Sequence, residues 1–284
     1  MTPPNKHLVR AMAVVALASG LGACGSLGRR QAEQAQYTDE PVERIYNTGM
    51  EQLDRRRWAE ALAAFEEVER QHPYSSWARR SMLMEAYASY QARQYDDAIE
   101  DAQRFTSLHP GNESAPYAYY LIAICHFERI LDVGRDQATT EHALQALNDV
   151  VRRYPDSPYA RDARLKIDMV YDQLAGKEMA VGRFYLTRDQ HLAAINRFRN
   201  VIENEHYQTT SHTPEALHRL VESYLSVGMI EEAQRMAAIL GHNLPGSEWY
   251  QRTYALMQDS GVAEVPAEEA QRRGWFNRTF GAVF

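Results

Sequence analysis

From about residue 41 to 257, apolar positions recur with the period of an α-helix, and short stretches holding glycine or proline separate one stripe from the next. That spacing predicts a succession of amphipathic helices joined by tight turns. Long runs of β-branched residues with period two are absent, so the predicted class is all-α. The stripes are also self-similar. "AEALAAFEEVERQHP" (59–73) matches "DDAIEDAQRFTSLHP" (96–110), and in each an alanine, Ala61 or Ala98, lies 12 residues before a proline, Pro73 or Pro110. The same interval separates Ala143 from Pro155 and Ala233 from Pro245, while "LAAINRFRNVIENEH" keeps Ala194 in register with His206 at the proline position.

Each copy extends backward to a residue that is small in four of the five: Gly49, Ala86, Ala123, Gly182 and Val221 precede their alanines by 12 to 20 residues. The expectation is that this position faces the alanine of the next helix and lets two antiparallel helices approach closely. Larger residues beyond the alanine, such as Phe65 and Val68 or Phe198 and Val201, then fill the groove, and the proline ends the second helix. Trp58 and Tyr95, three residues before their alanines, read as packing residues.

This pattern resembles the tetratricopeptide repeat, and the resemblance implies an all-α solenoid of five uneven helix-pair repeats over residues 41–257. Successive alanines are 37, 45, 51 and 39 residues apart, against a repeat of about 34 in that family. "LDVGRDQATTE" (131–141) reads as a polar insert in the third repeat. Residues 157–188 lengthen the first helix of the fourth, where Gly176 and Gly182 are expected to permit a bend. "SEWYQRTYALMQ" caps the array, and residues 258–284 read as an acidic linker and an aromatic tail.

The amino terminus has a different pattern. Lys6 and Arg10 precede about eleven mostly apolar residues, Ala11 to Leu21, a length that suits an export signal and falls short of the roughly 20 residues a spanning helix needs. "LGAC" (21–24) resembles the lipobox of bacterial lipoproteins. That implies removal of residues 1–23, a diacylglycerol on the Cys24 sulfur, an acyl chain on the new amino terminus, and a polar leader over 24–40. No other cofactor is expected. Three acyl chains give firm membrane attachment. Losing residues 1–23 takes the formal charge from −7 to −9, which argues against nucleic acid or anionic lipid as a general partner. The remaining cysteine, Cys125, has no partner for a disulfide and reads as a small buried hydrophobe.

Three stretches, "PYSSWARRSMLMEAYASYQARQYDDAIEDAQRFTSLHP" (73–110), "RRYPDSPYARDARLKIDMVYDQLAGKEMAVGRFYL" (152–186) and "AINRFRNVIENEHYQTTSHTPEALHRLVESY" (194–224), together resemble the BamD family of the β-barrel assembly machinery. The resemblance covers nearly the whole mature chain. It implies a lipoprotein on the periplasmic face of the outer membrane that docks on the periplasmic domains of the barrel-forming assembly subunit. Other assembly lipoproteins and unfolded outer-membrane clients would be its further partners, the clients entering through a C-terminal signal. Gly25 after the anchor fits that destination. The alternative is a lipidated repeat scaffold or pilotin of a pilus or secretion machine. An enzyme is not expected, because the chain offers no nucleophile in a strand-turn setting and no glycine-rich phosphate loop. His206, His212 and His218 recur every six residues, a spacing that does not align metal ligands on one helical face.

Candidate contact residues fall in two regions. Tyr74, Trp77, Arg79 and Arg80, in the densest aromatic and basic stretch, are candidates to hold a client and its terminal carboxylate; the competing reading is a solvated face. Arg188 and Arg197 on the fourth repeat are candidates for the barrel-forming subunit, Arg197 being set on a helix beside Phe198. In the tail, Phe276, Phe280 and Phe284 fall at i, i+4 and i+8 with Trp275 beside them, one aromatic stripe if helical. Trp275, Phe276 and Phe280 are therefore candidates for partner or membrane contact, with docking on the solenoid or an unstructured tail as the alternatives.

Overall fold

The computed structural model describes residues 41–130 and 137–262 of the 284-residue chain. Cys24, the leader, most of the insert after Ile130 and the aromatic tail lie outside the described residues. Within them the chain forms eleven α-helices and no strand. They are α1 Val42–Asp54, α2 Trp58–Gln71, α3 Ser76–Gln91, α4 Tyr95–Leu108, α5 Ala115–Phe127 and α6 Ala138–Arg153. Then follow α7 Pro158–Leu186, α8 His191–Glu203, α9 Thr213–Ser226, α10 Ile230–Asn243 and α11 Glu248–Asp259. Each odd-numbered helix up to α9 packs on the even-numbered one that follows, giving five pairs. Neighbouring first helices also touch, α1 with α3, α3 with α5, α5 with α7 and α9 with α11.

The five alanines of the sequence register are fully buried, as are Phe65, Val68, Leu147, Val150, Phe198 and Val201. One expectation is corrected. The small residue of the first helix faces the side chain four positions beyond the alanine, not the alanine itself. A Cβ on Gly49 would lie 2.6 Å from Phe65 Cε1, and one on Gly182 would fall closer still to Phe198 Cε1. The two positions are complementary in volume in four repeats, Gly49 with Phe65, Ala123 with Leu147, Gly182 with Phe198 and Val221 with Ala237, whereas in the second both, Ala86 and Ala102, are small.

Turns within and between pairs follow two rules. Within a pair, a residue in the left-handed region ends the first helix: Arg56, Arg93, Asp189 and Gly228 have φ of 58°, 61°, 59° and 78°. The next amide then donates to a carbonyl five residues back, Arg57 to Gln52 at 2.9 Å and Met229 to Tyr224 at 2.9 Å, the paired closure of a Schellman turn. Between pairs, proline pushes the preceding residue out of the helix; His72 before Pro73 has φ −133°. A serine two residues past the proline then caps the next helix. Ser75, Ser157 and Ser247 Oγ accept from Ala78, Ala160 and Tyr250 amides at 3.0, 3.1 and 3.1 Å. This Pro-x-Ser signal was present in the sequence and carries the helix starts.

Helix α7 is the lengthened first helix expected over 157–188, one uninterrupted element with Gly176 and Gly182 both buried. Two boundaries differ from expectation. Ala138–Glu141, read as insert, form the first turn of α6, with Thr140 buried. Val262 packs against the C-terminal core, so the folded unit extends past 257. Among the described residues the within-pair turn recurs a fifth time: Gly261 has φ 65° and the Val262 amide reaches Met257 O at 3.1 Å. Helix α11 is thus the first helix of a sixth unit, 33 residues on from the fifth. There Tyr254 holds the small-residue position.

Candidate interaction surfaces

In the N-terminal repeats, the rings of Tyr46 on α1 and Trp77 on α3 meet at 4.9 Å between centres, inclined by 53°, and the Arg80 guanidinium lies 5.1 Å from the Trp77 ring. Burial pushes the Tyr46 phenol up, with Arg80 partly opposing. Beside them is a cavity of about 310 Å³ whose lining includes Tyr46, Arg79, Arg80, Leu83, Phe105 and Glu113. Among the described residues, neither Arg79 nor Arg80 has a carboxylate within 4.0 Å. Three of the four client candidates therefore come together. Tyr74 does not: it is 97% exposed between α2 and α3 and does not line the cavity.

Behind the cavity wall is a buried charge cluster that sequence reading missed. Arg104 of α4 contacts Glu69 of α2 at 2.6 Å, Glu85 of α3 at 2.7 Å and Asp101 at 3.8 Å. Burial is the largest cause pushing the Glu85 carboxyl up to about 8, Glu69 adds to it, and Arg104 opposes. One arginine cannot neutralise three carboxylates, and Glu85 is the least hydrated of them. No local sequence signal marks this cluster, because its members come from three helices.

In the C-terminal repeats Arg183, Arg197, Arg199 and Arg219 are paired with glutamates, Arg183 and Arg219 sharing Glu215. Arg183 binds Glu215 at 2.6 Å, Arg197 binds Glu178 at 3.3 Å and Arg199 binds Glu203 at 2.5 Å. Asn200 also donates to Glu178 at 3.3 Å. Arg197 and Arg199 line an open cavity of about 460 Å³ with Tyr185, Asn196, Asn200 and Glu203. Arg188 is exposed and its guanidinium lies 3.6 Å from the Phe184 ring centre, half of that ring being open to solvent. The tail candidates Trp275, Phe276 and Phe280 lie outside the described residues.

The three spaced histidines do different jobs. His206 stacks on Tyr171 at 4.4 Å, His212 Nε2 is 3.6 Å from Asp172, and buried His218 shares a 2.9 Å hydrogen bond with Thr253 Oγ1. Burial lowers the His218 pKa, so it acts as a neutral tie between α9 and α11. Cys125 is fully buried, and burial pushes its thiol up to about 12, far from a reactive thiolate. Among the described residues, no helix is long and apolar enough to cross a membrane.

These features define a helical-repeat scaffold of the tetratricopeptide type, with binding surfaces made by helix faces. Residues 38–239 match the family described as YfiO, outer membrane lipoprotein. The chain is 57% identical to outer membrane protein assembly factor BamD of Caulobacter vibrioides, over 93% of this chain and 85% of that protein. It is 43% identical to the BamD of Rickettsia prowazekii over 77% and 86%. With the BamD of Neisseria meningitidis serogroup A it shares 31% over 82% and 90%. The chain belongs to the BamD family of outer membrane protein assembly factors.

Proposed function

We propose that this protein is a lipid-anchored scaffold of the outer-membrane β-barrel assembly machinery that receives unfolded clients and docks on the barrel-forming subunit. Family membership over nearly the whole chain supports the assembly role. The observation that carries client binding is the pair Arg79 and Arg80, which among the described residues have no carboxylate within 4.0 Å, beside the Trp77–Tyr46 ring contact. A guanidinium next to aromatic faces suits a chain terminus that ends in an aromatic residue and a carboxylate. Tyr74, fully exposed in the turn between α2 and α3, is retained as a client contact outside the cavity. The protein acts by binding and positioning, with no catalytic group assigned.

On the fourth repeat, Arg188 on its ring platform and Arg197 at the rim of the open cavity are the contacts assigned to the barrel-forming subunit. Arg197 keeps Glu178 as its own counterion, so a partner carboxylate there would compete with Glu178 or share the guanidinium. Trp275, Phe276 and Phe280 are assigned as further contacts to the partner or the membrane, and Cys24 carries the acyl chains that hold the protein at the outer membrane. Other assembly lipoproteins complete the complex.

Affinity purification from gently solubilised envelopes tests the assignment. A large outer-membrane barrel protein with periplasmic repeat domains should be recovered, and mass spectrometry should find acyl chains on an amino-terminal Cys24. Recovery of pilus or secretion components, or a bare amino terminus on a soluble product, would contradict it.

A further inference from the structure

Within the Arg104 cluster, Glu85 is set apart by its surroundings. Its side chain is 4% exposed, against 21% for Glu69 and 25% for Asp101. Arg104 gives both terminal guanidinium nitrogens to Glu69, at 2.6 and 3.3 Å, and reaches Glu85 only at Oε2, at 2.7 Å. Among the described residues Glu85 Oε1 has no hydrogen-bond partner, and neither has the buried Oγ of Ser81, one turn earlier on α3. A buried carboxylate oxygen without a donor is costly, whereas a protonated carboxyl brings its own O–H.

The charged groups acting on Glu85 come from the two helices packed along α3: Glu66 and Glu69 on α2, Asp101 and Arg104 on α4. Helices α1 and α5 also touch α3, and they bring tyrosines to other parts of it, Tyr46 to Trp77 and Tyr117 to Tyr87 and Tyr90. The surplus of carboxylates over Arg104 and the burial of Glu85 act in the same sense, toward a retained proton.

The cluster and the arginine cavity share a wall. Leu83 and Met84, which line the cavity, immediately precede Glu85, and Phe105, also in the lining, follows Arg104. Arg79 and Arg80 stand six and five residues before Glu85 on the same helix, about 8–9 Å along its axis. A full charge on Glu85 is felt at that distance by an anion held at the two guanidiniums.

We infer that Glu85 makes the arginine cavity a proton-linked anion site: a carboxylate at Arg79 and Arg80 is held firmly while Glu85 carries its proton and more weakly once Glu85 is ionised. This rests on the client-binding reading above and adds its control by pH. With an effective dielectric of about 30 over about 10 Å, ionisation of Glu85 weakens binding roughly 3- to 10-fold. Linkage is reciprocal, so carboxylate binding near pH 8, where Glu85 is half protonated, takes up about 0.3 of a proton.

The test is isothermal titration calorimetry of the whole protein with an N-acetylated peptide of about ten residues ending in phenylalanine, as the free acid and as the amide. Between pH 7 and pH 9 the acid should lose about 2- to 5-fold in affinity for the native protein, with no such loss for the amide. At pH 8, in two buffers of different ionisation enthalpy, the heats should report uptake of about 0.3 proton for the acid alone. Glu85→Gln, which fixes the neutral form, should keep the pH 7 affinity up to pH 9 and take up no proton. Glu69→Gln removes the carboxylate that raises Glu85 most and should move the fall in affinity to lower pH without abolishing it. Thermal unfolding of both variants at each pH ensures that folded proteins are compared. If acid and amide bound alike at pH 7, the client-carboxylate reading would fail and the linkage with it. If the acid were preferred but its affinity did not change between pH 7 and 9, or fell equally in Glu85→Gln, carboxylate binding would stand and Glu85 would have no part in it. A fall left in place by Glu69→Gln would put the titrating group outside the cluster.

Discussion

Repeats one and two and repeats four and five are built on the same frame and use charge in opposite ways. The Gly49–Phe65 crossing of the first repeat returns as Gly182–Phe198 in the fourth. In the N-terminal pair, however, Arg104 gathers Glu69, Glu85 and Asp101 to itself, and among the described residues Arg79 and Arg80 have no carboxylate within 4.0 Å. In the C-terminal pair, Arg197 and Arg199 each hold a glutamate, and Arg183 shares Glu215 with Arg219. Charges paired within the fold fix helices side by side, whereas unpaired cations beside aromatic rings leave binding capacity for an anion from outside. The formal charge of −7 conceals this local inversion of sign.

The shared frame is the part whose disruption costs most. Gly182→Val should overpack against Phe198 and cost about 1–3 kcal/mol in urea unfolding. Adding Phe198→Ala should recover most of that loss, because the pair then becomes that of the fifth repeat, Val221 with Ala237. Strictly additive losses would show that the volume compensation is coincidental. Gly49→Val in the first repeat should behave alike, since its Phe65 contact is equivalent.

The charge cluster of the N-terminal pair predicts a pH effect that the other region lacks. Glu85 keeps its proton to about pH 8 in the folded chain, against an ordinary value of 4.5. The folded state thus binds more protons between those values, so the contribution to stability is complete below pH 4.5 and is lost as pH rises through 8. Glu85→Gln should flatten the fall in urea midpoint between pH 6 and 8.5. An unchanged slope would mean that Glu85 is already ionised at the lower pH.

A smaller difference is expected for the arginine pairs. Glu178→Gln leaves Arg197 without its counterion and should cost up to about 1 kcal/mol, the group being partly solvated. The double change Arg79→Gln with Arg80→Gln should alter stability by no more than about 0.5 kcal/mol. If the second change destabilised more than the first, the two regions would not divide as described.

What the sequence made legible follows from what is local. The alanine–proline interval gave the helix pairs because each pair is one contiguous stretch, and Cys125 was readable from its apolar neighbours. The small-residue partner was misassigned because periodicity places a residue on a face without saying which side chain it meets across the crossing. The left-handed turns at Arg56, Arg93 and Asp189 escaped because no glycine marked them. Arg197 was correctly placed on a rigid helix, but Glu178 lies 19 residues earlier, a pairing only the α7–α8 packing reveals. The Arg104 cluster joins three helices, so it does not exist as a motif in the chain.

The central claim is that the unpaired arginines of the N-terminal repeats hold a client's terminal carboxylate. Fluorescence anisotropy with a labelled peptide ending in phenylalanine, as the free acid and as the amide, tests it directly. The native protein should bind the amide about tenfold more weakly, the loss of one charge-assisted contact. The Arg79→Gln, Arg80→Gln protein should bind acid and amide alike, at the weaker level. Equal binding of the two peptides by the native protein, or an undiminished preference for the acid in the variant, would contradict the claim.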